Sequence, residues 1–442
     1  MQLSLLLILN IANVGLGVIK QFLIIGLLNP VSYGLYNIYS VWINFGNYLD
    51  LSTNNGVLYK SLELNKEKKL KKSLNYRQVI FKFTLFISVI YVLIGILIVI
   101  FSEESLLNIV HKNILAALFF AAPILITHNL VIVECRIQEK FKLISASILI
   151  GTAISLLIFL LINKYRYTER VEFYVVITQL AVIVSTIIMI FNKDIREKLL
   201  NINCKMECNI ILNVIKLGIP LTIQPILMVF HQSMDRIFYV MKMTSEQFGY
   251  YSFGAAIGSY LGIVASTIAL KYSTEHMSKD ISEMNLIDYI HPITIASIIN
   301  GLICSIFIIF GQAAIKFILP QYGDGFDIIK NTLLAYSVLF PAVILMPMLM
   351  ANKYKKKIII SQVVIIILFI LFQNISMMSK GEEIYFPLIT MIYNITIVFV
   401  LLINVFIIFK ASGKEIIITT MKVYGPLLSM VFFVTAVKSL SK

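Results

Sequence analysis

The residues of this chain that could do chemistry are few, and they sit where charge is expensive. Lys20 lies eight residues before the end of an apolar run over 3–28, roughly 12 Å along a helix axis. If that run crosses a bilayer, Lys20 is near its middle, where a cation costs about 2.5–3.5 kcal/mol on insertion scales. It must be paired or face a polar cavity. A later run, 211–241, holds His231, Gln232, Asp235 and Arg236. His231 and Asp235 are one helical turn apart on one face, and Arg236 is about 100° round from Asp235. Two readings fit these groups. Asp235 pairs with Arg236 or Lys20 to tie two parts of the chain together, or Arg236 and Lys20 form a site for an anion. A proton-coupled carboxylate is a weaker third reading.

A second set is neutral. Asn37, Ser40, Asn44 and Asn47 recur at steps of three to four residues, and Asp50 and Asn54 follow. On a helix this is one polar stripe. Facing lipid, each unsatisfied group would cost several kcal/mol, so the stripe faces protein or water. Interhelical hydrogen bonds and a wetted passage are both consistent with it. The candidate substrate-binding set is therefore Lys20, Asn44, Asn47, Asp50, His231, Asp235 and Arg236.

The elements that must position these groups are membrane helices. Of 442 residues, 59% are hydrophobic and 14% charged, and the mean hydropathy is +0.89. A soluble domain is about 45–50% apolar and about 25% charged. Twelve runs reach the roughly 20 residues a spanning helix needs: 3–28, 34–59, 78–101, 113–134, 143–162, 171–191, 211–241, 248–270, 291–318, 326–351, 358–378 and 384–409. A weaker thirteenth, 423–437, spans or lies in the interface. Strict alternation, as in a membrane barrel, is absent. The first run lacks a cationic flank and a cleavage pattern, and reads as a retained helix. Lys and Arg number 22 in one set of alternate loops and 6 in the other, which places the N-terminus in the cytoplasm.

The chain repeats itself. Ser32-Tyr33-Gly34-Leu35-Tyr36 returns 215 positions later as Gln247-Phe248-Gly249-Tyr250-Tyr251, and Pro123 and Ser145 return as Pro341 and Ser361 at offsets of 218 and 216. Three anchors at nearly the same offset point to an internal duplication. Six spans per copy is an even number, so both copies enter the membrane in the same sense. The expected fold is all-α: two parallel six-helix repeats around a central cavity. Residues 1–200 form the N-terminal lobe, 201–410 the C-terminal lobe, and 411–442 an interfacial or additional membrane helix. Gly254, Gly258 and Gly262 at four-residue spacing mark a close helix contact.

Several functions are excluded. The net charge of +14 sits in short loops, and no basic domain exists to hold nucleic acid. No phosphate-binding loop or His-Glu-x-x-His occurs. Cys204-x-x-x-Cys208 has no further ligand at zinc spacing. His111 and His276 fall in loops, His291 at a span edge, and His128 reads as a helix-contact residue. Short external loops leave no room for a polymerase or ligase domain.

Asn29-Pro30-Val31-Ser32-Tyr33-Gly34-Leu35-Tyr36 resembles the Leu-Gly-Pro-x-x-Tyr-Gly-Leu-Tyr segment of bacterial polysaccharide repeat-unit flippases, with Asn29 where that family usually has Gly. Asp235-Arg236 followed by Phe248-Gly249-Tyr250-Tyr251 resembles the family's seventh-span signature, and Leu319-Pro320-Gln321-Tyr322 its Phe-Gly-Pro-x-Tyr turn. The resemblance covers about residues 1–410. It implies the multidrug/oligosaccharidyl-lipid/polysaccharide exporter superfamily and, within it, a flippase moving polyprenyl-pyrophosphate-linked oligosaccharides to the outer leaflet by alternating access. The product would be O-antigen or capsule, in a cell (inner) membrane. The expected partners are the lipid-linked oligosaccharide, membrane lipids and other surface-polysaccharide assembly proteins. No bound cofactor is expected, and coupling to a Na+ or H+ gradient stays open. Lys20 and Arg236 would meet phosphates, and the asparagines sugar hydroxyls. The alternative is a cation-coupled drug or metabolite exporter of the same superfamily.

Overall fold

The computed structural model describes residues 2–101, 112–165, 170–199, 205–260, 286–350, 355–378, 385–409 and 413–440. Gly262, His111, His276 and Cys204 lie outside them. Every regular element among the described residues is helical. The helices are α1 (Gln2–Leu27), α2 (Pro30–Gly46), α3 (Thr53–Lys66), α4 (Leu70–Phe101), α5 (Lys112–Ile137), α6 (Phe141–Tyr165), α7 (Val171–Phe191), α8 (Lys193–Leu199) and α9 (Cys208–Tyr239). After a helix over 245–260, here α10, come α11 (Leu286–Ile318), α12 (Phe326–Ser337), α13 (Phe340–Met350), α14 (Lys355–Met378), α15 (Tyr385–Phe409) and α16 (Gly413–Leu440).

Among the described residues, eight helical segments are long and apolar enough to cross a membrane, or nine if the two arms of α9 form one span. The expected span 248–270 runs past residue 260, beyond the described residues. Apolar residues do not simply fill a core. Only 17% of the apolar window of α4 is buried, and Phe86, Val89, Leu93, Leu97 and Ile100 are exposed along it. A soluble helix cannot show so much hydrocarbon to water, so this is a multi-pass membrane protein.

Three expected spans are not single helices. The run 34–59 breaks after Gly46, turns through 47–52 and restarts as α3 at Thr53. Leu51 and Ser52 are both left-handed, with φ of 53° and 66°. Asp50 explains the restart. Its carboxylate accepts the backbone N–H of Ser52 at 3.1 Å and of Asn54 at 2.8 Å, which satisfies donors that a helix start leaves open. The run 211–241 is α9, whose arms Cys208–Ile223 and Pro225–Tyr239 meet at 40°. Pro225 has no N–H to continue the ladder and its ring crowds the preceding turn. The run 326–351 is α12 and α13, parted by a turn at 338–339 just before Pro341. At the C-terminus, α16 is a 28-residue helix packed along α11, and Glu415–Phe432 within it is apolar enough to span.

The chain divides into two compact units, residues 1–28 with 35–237, and residues 29–34 with 238–442. In the first, α4 lies on α5, α6 on α7, and α1 on α6. Its apolar core at one end joins Val57 and Leu64 of α3, Val79 and Ile80 of α4, Leu130 and Val131 of α5, and Ile211 and Val214 of α9. Within that end, the buried Arg77 guanidinium meets Glu134 at 2.6 Å, and Lys140 donates to Asn192 at 2.6 Å. In the second, α11 lies on α16, α12 on α15, and α14 on α15. Gly254 and Gly258 of α10 face Ile329, Thr332 and Tyr336 of α12 so closely that a β-carbon would overlap them.

The short strap 29–34 packs with the second unit. A β-carbon on Gly249 would overlap the Pro30 carbonyl, and one on Gly34 would lie 3.1 Å from Phe248 and 3.2 Å from the Gly249 nitrogen. The two copies of the repeated motif thus rest on each other through their glycines. Tyr33 and Tyr322 are edge to face at 6.3 Å, and Tyr322 also contacts Tyr250 and Phe253. Burial raises the Tyr322 hydroxyl pKa.

Candidate functional site

Three of the candidates lie in or just before the α2–α3 turn, Asn44 on the last turn of α2 and Asn47 and Asp50 in the turn itself. Asn47 donates its side-chain amide to the Asn44 carbonyl at 3.1 Å and accepts from Asn129 at 3.2 Å. Asp50 is buried and holds the α3 start, while the Asn44 side chain is exposed. Tyr91 donates to the Leu49 carbonyl at 2.6 Å, and Asn54 to the Ile126 carbonyl at 3.3 Å. Asp50 and Asn47 therefore shape the turn, and Asn44 keeps an open side chain. Asn37 is buried.

α9 runs antiparallel along this broken segment. Gly218 meets Ser52, Val214 meets Gly56, Asn55 donates to Thr222 at 2.9 Å, and the Phe230 ring lies tilted against Phe45 at 5.1 Å. The approach at both glycines is too close for any β-carbon. These rungs set the level of His231 on α9 beside that of Asn44 on α2. His231 and Asp235 are buried, Arg236 is half-buried and Gln232 exposed. Asp235 accepts the backbone N–H of Arg236 at 2.8 Å.

Lys20 stands apart from both groups on α1, which is tied to α6 by the Asn13 amide donating to the Ser145 carbonyl at 3.0 Å. Lys20 is half-buried, one turn before the fully buried Ile24. Among the described residues it takes part in no ion pair, so of the pairings open to Asp235 the one with Lys20 is not formed.

Two features were missed in sequence. The Asn55 amide, next to the polar stripe, bridges to Thr222 of α9. Tyr39 on α2 donates to Glu172 at the start of α7, which the apolar run 171–191 had hidden. His128 contacts Thr186 at 2.8 Å and Ser185 at 3.3 Å, a satisfied helix-contact residue.

No family model and no curated protein matches the chain. Solved structures do. The lipid II flippase MurJ in an inward closed conformation is 16% identical with a TM-score of 0.71, covering 99% of this chain and 93% of that one. A multidrug resistance MATE family transporter of the MOP superfamily, inward-facing, is 14% identical with a TM-score of 0.61, covering 92% and 96%. An outward-facing structure of a MATE family transporter is 12% identical with a TM-score of 0.53, covering 89% and 97%. At such identities the likeness speaks to architecture: from end to end, this chain has the fold of these membrane transporters.

Proposed function

We propose that the protein is a flippase for polyprenyl-pyrophosphate-linked oligosaccharides, working by alternating access of two six-helix lobes, 1–200 and 201–410, in the cell inner membrane. The observation that carries this reading is the likeness to a lipid II flippase over 99% of the chain. The N-terminus is cytoplasmic and the strap 29–34 external in this reading. O-antigen or capsule assembly is the setting, with the neighbouring assembly proteins as partners and a Na+ or H+ gradient as the drive.

The chemistry fits that cargo. A pyrophosphate entering a low-dielectric passage must exchange water for fixed donors. The Arg236 guanidinium is planar and offers two parallel N–H bonds to one phosphate, whereas the Lys20 ammonium acts as a point charge. Asn44, exposed on α2 at the level of His231, has donor and acceptor for sugar hydroxyls. The prenyl tail needs no cavity, because it stays in hydrocarbon.

The test is surface glycan in cells lacking the chromosomal copy. Lys20→Ala and Arg236→Ala proteins should reach the membrane in normal amount and give no surface polymer, while Arg236→Lys restores part of it. Normal polymer from both alanine variants would reject the anion site.

A further inference from the structure

A cavity of about 340 Å³ opens in the first unit between α2, α5 and α7, and none of the seven candidate residues lines it. Its wall is apolar, from Ile43, Ala117, Ile124, Val175 and Ile183. Phe120, Val176 and Leu180 also line it and are 40%, 55% and 37% exposed. In a membrane-spanning bundle, an opening edged by such side chains faces acyl chains. The volume is at the low end of the roughly 300–1,000 Å³ typical of small-molecule sites, enough for one hydrocarbon chain.

Polar groups enter from α2, α5 and α7, Asn113 lining the cavity from the first turn of α5. Glu172 is exposed in the first turn of α7 and accepts the Tyr39 hydroxyl. Gln179 lies on the same face two turns deeper, and its Oε1 is buried without a partner. A carboxylate and an amide oxygen are both acceptors. An unmet buried acceptor is costly, so the Gln179 oxygen calls for a donor. A primary ammonium has three N–H donors and a positive charge, which suits the Glu172 carboxylate at the mouth, and an amphiphile's polar linkage can extend toward Gln179.

We propose that this cavity binds an amphiphile with one hydrocarbon chain in the α2–α5–α7 cleft and an amine headgroup at Glu172. The headgroup comes from an aminophospholipid or from a free long-chain amine. The site shares no residue with the proposed substrate path, so its test does not require transport.

The chain has one tryptophan, Trp42, beside the lining residue Ile43 on α2. The full-length protein in phosphatidylcholine vesicles is titrated with a bromine-tipped long-chain primary amine, and with the alcohol and carboxylic acid of equal length. Trp42 fluorescence is the readout. The amine should quench saturably at a tenth or less of the concentration the other two need, the range of a charge-assisted bond. Glu172→Gln should erase that preference, and Ala117→Phe should abolish saturable quenching by filling the cavity. Vesicles with brominated chains on phosphatidylethanolamine or on phosphatidylcholine separate the sources. Selective quenching by the ethanolamine lipid assigns the site to a membrane lipid, and quenching by the free amine alone assigns it to a soluble amphiphile. Equal quenching by every probe, or an amine preference that survives Glu172→Gln, would overturn the proposal.

Discussion

Two glycines that occupy equivalent places in the repeated motif should respond differently to the same substitution. At Gly249 a β-carbon would fall inside the Pro30 carbonyl group, with the Pro30 Cα also 2.9 Å away. Backbone cannot swing aside as a side chain can, so Gly249→Ala forces the strap off α10. Overpacking of this kind costs about 1–3 kcal/mol. At Gly34 the nearest atoms are the Phe248 ring at 3.1 Å and the Gly249 nitrogen and Ser245 carbonyl at 3.2 Å, so a methyl asks them to give by only a few tenths of an ångström, far less than at Gly249. That strain is offset by the entropy a glycine-to-alanine change removes from the unfolded chain, about 0.4–1 kcal/mol. Gly34→Ala should therefore be close to neutral. Thermal unfolding in detergent, run at one scan rate because unfolding of such proteins is seldom reversible, should show a fall of several degrees for Gly249→Ala and little change for Gly34→Ala. Hydrogen exchange at 31–36 should speed up only in the first. Equal losses, or a larger loss at Gly34, would refute the asymmetric docking of the strap.

Other outcomes follow from the first unit. Glu134→Ala leaves Arg77 buried without its carboxylate, and breaking a buried pair in this way costs about 3–5 kcal/mol; detergent-solubilised yield and unfolding temperature should both drop sharply, while Glu134→Gln is milder. Asp50→Ala removes the acceptor of two backbone N–H groups at the start of α3 and should cost about 0.5–2 kcal/mol, read as a lower unfolding temperature. Asp50→Asn keeps one acceptor oxygen and should retain most of the stability and all of the transport, which distinguishes a cap from a substrate ligand. Gly218→Ala should separate α9 from α3 and lower the unfolding temperature, because the obstacle is the Ser52 backbone carbonyl, which has no rotamer to escape into.

Helix content was legible in the sequence because it rests on long apolar patterns. The break inside 34–59 was not, although its signal was present. Asp50, Ser52 and Thr53 are residues that start helices, but an apolar window averages over them. The bend in α9 has a local cause at Pro225, because a missing N–H acts where it falls. The anchors Gly34 and Gly249 were recognised as copies; that they would touch follows only from tertiary packing. Among the candidates, Asp50 and Asn47 proved to be turn-builders, since a short polar side chain near a helix end bonds its own backbone first. Glu172 went unread because an acid in a first turn is usually explained by the helix dipole, and only the position of Tyr39 across the bundle gives it a partner.

If Lys20 and Arg236 carry a lipid-linked pyrophosphate across the membrane, both charges must limit its passage between leaflets. Purified protein in liposomes, supplied with a fluorescent polyprenyl-pyrophosphate oligosaccharide in one leaflet, measures this directly by the label's accessibility to a membrane-impermeant quencher. Rapid exchange between leaflets is expected, at least tenfold slower for Lys20→Ala and for Arg236→Ala. Exchange no faster than in protein-free liposomes, or equally fast in both variants, would contradict that role.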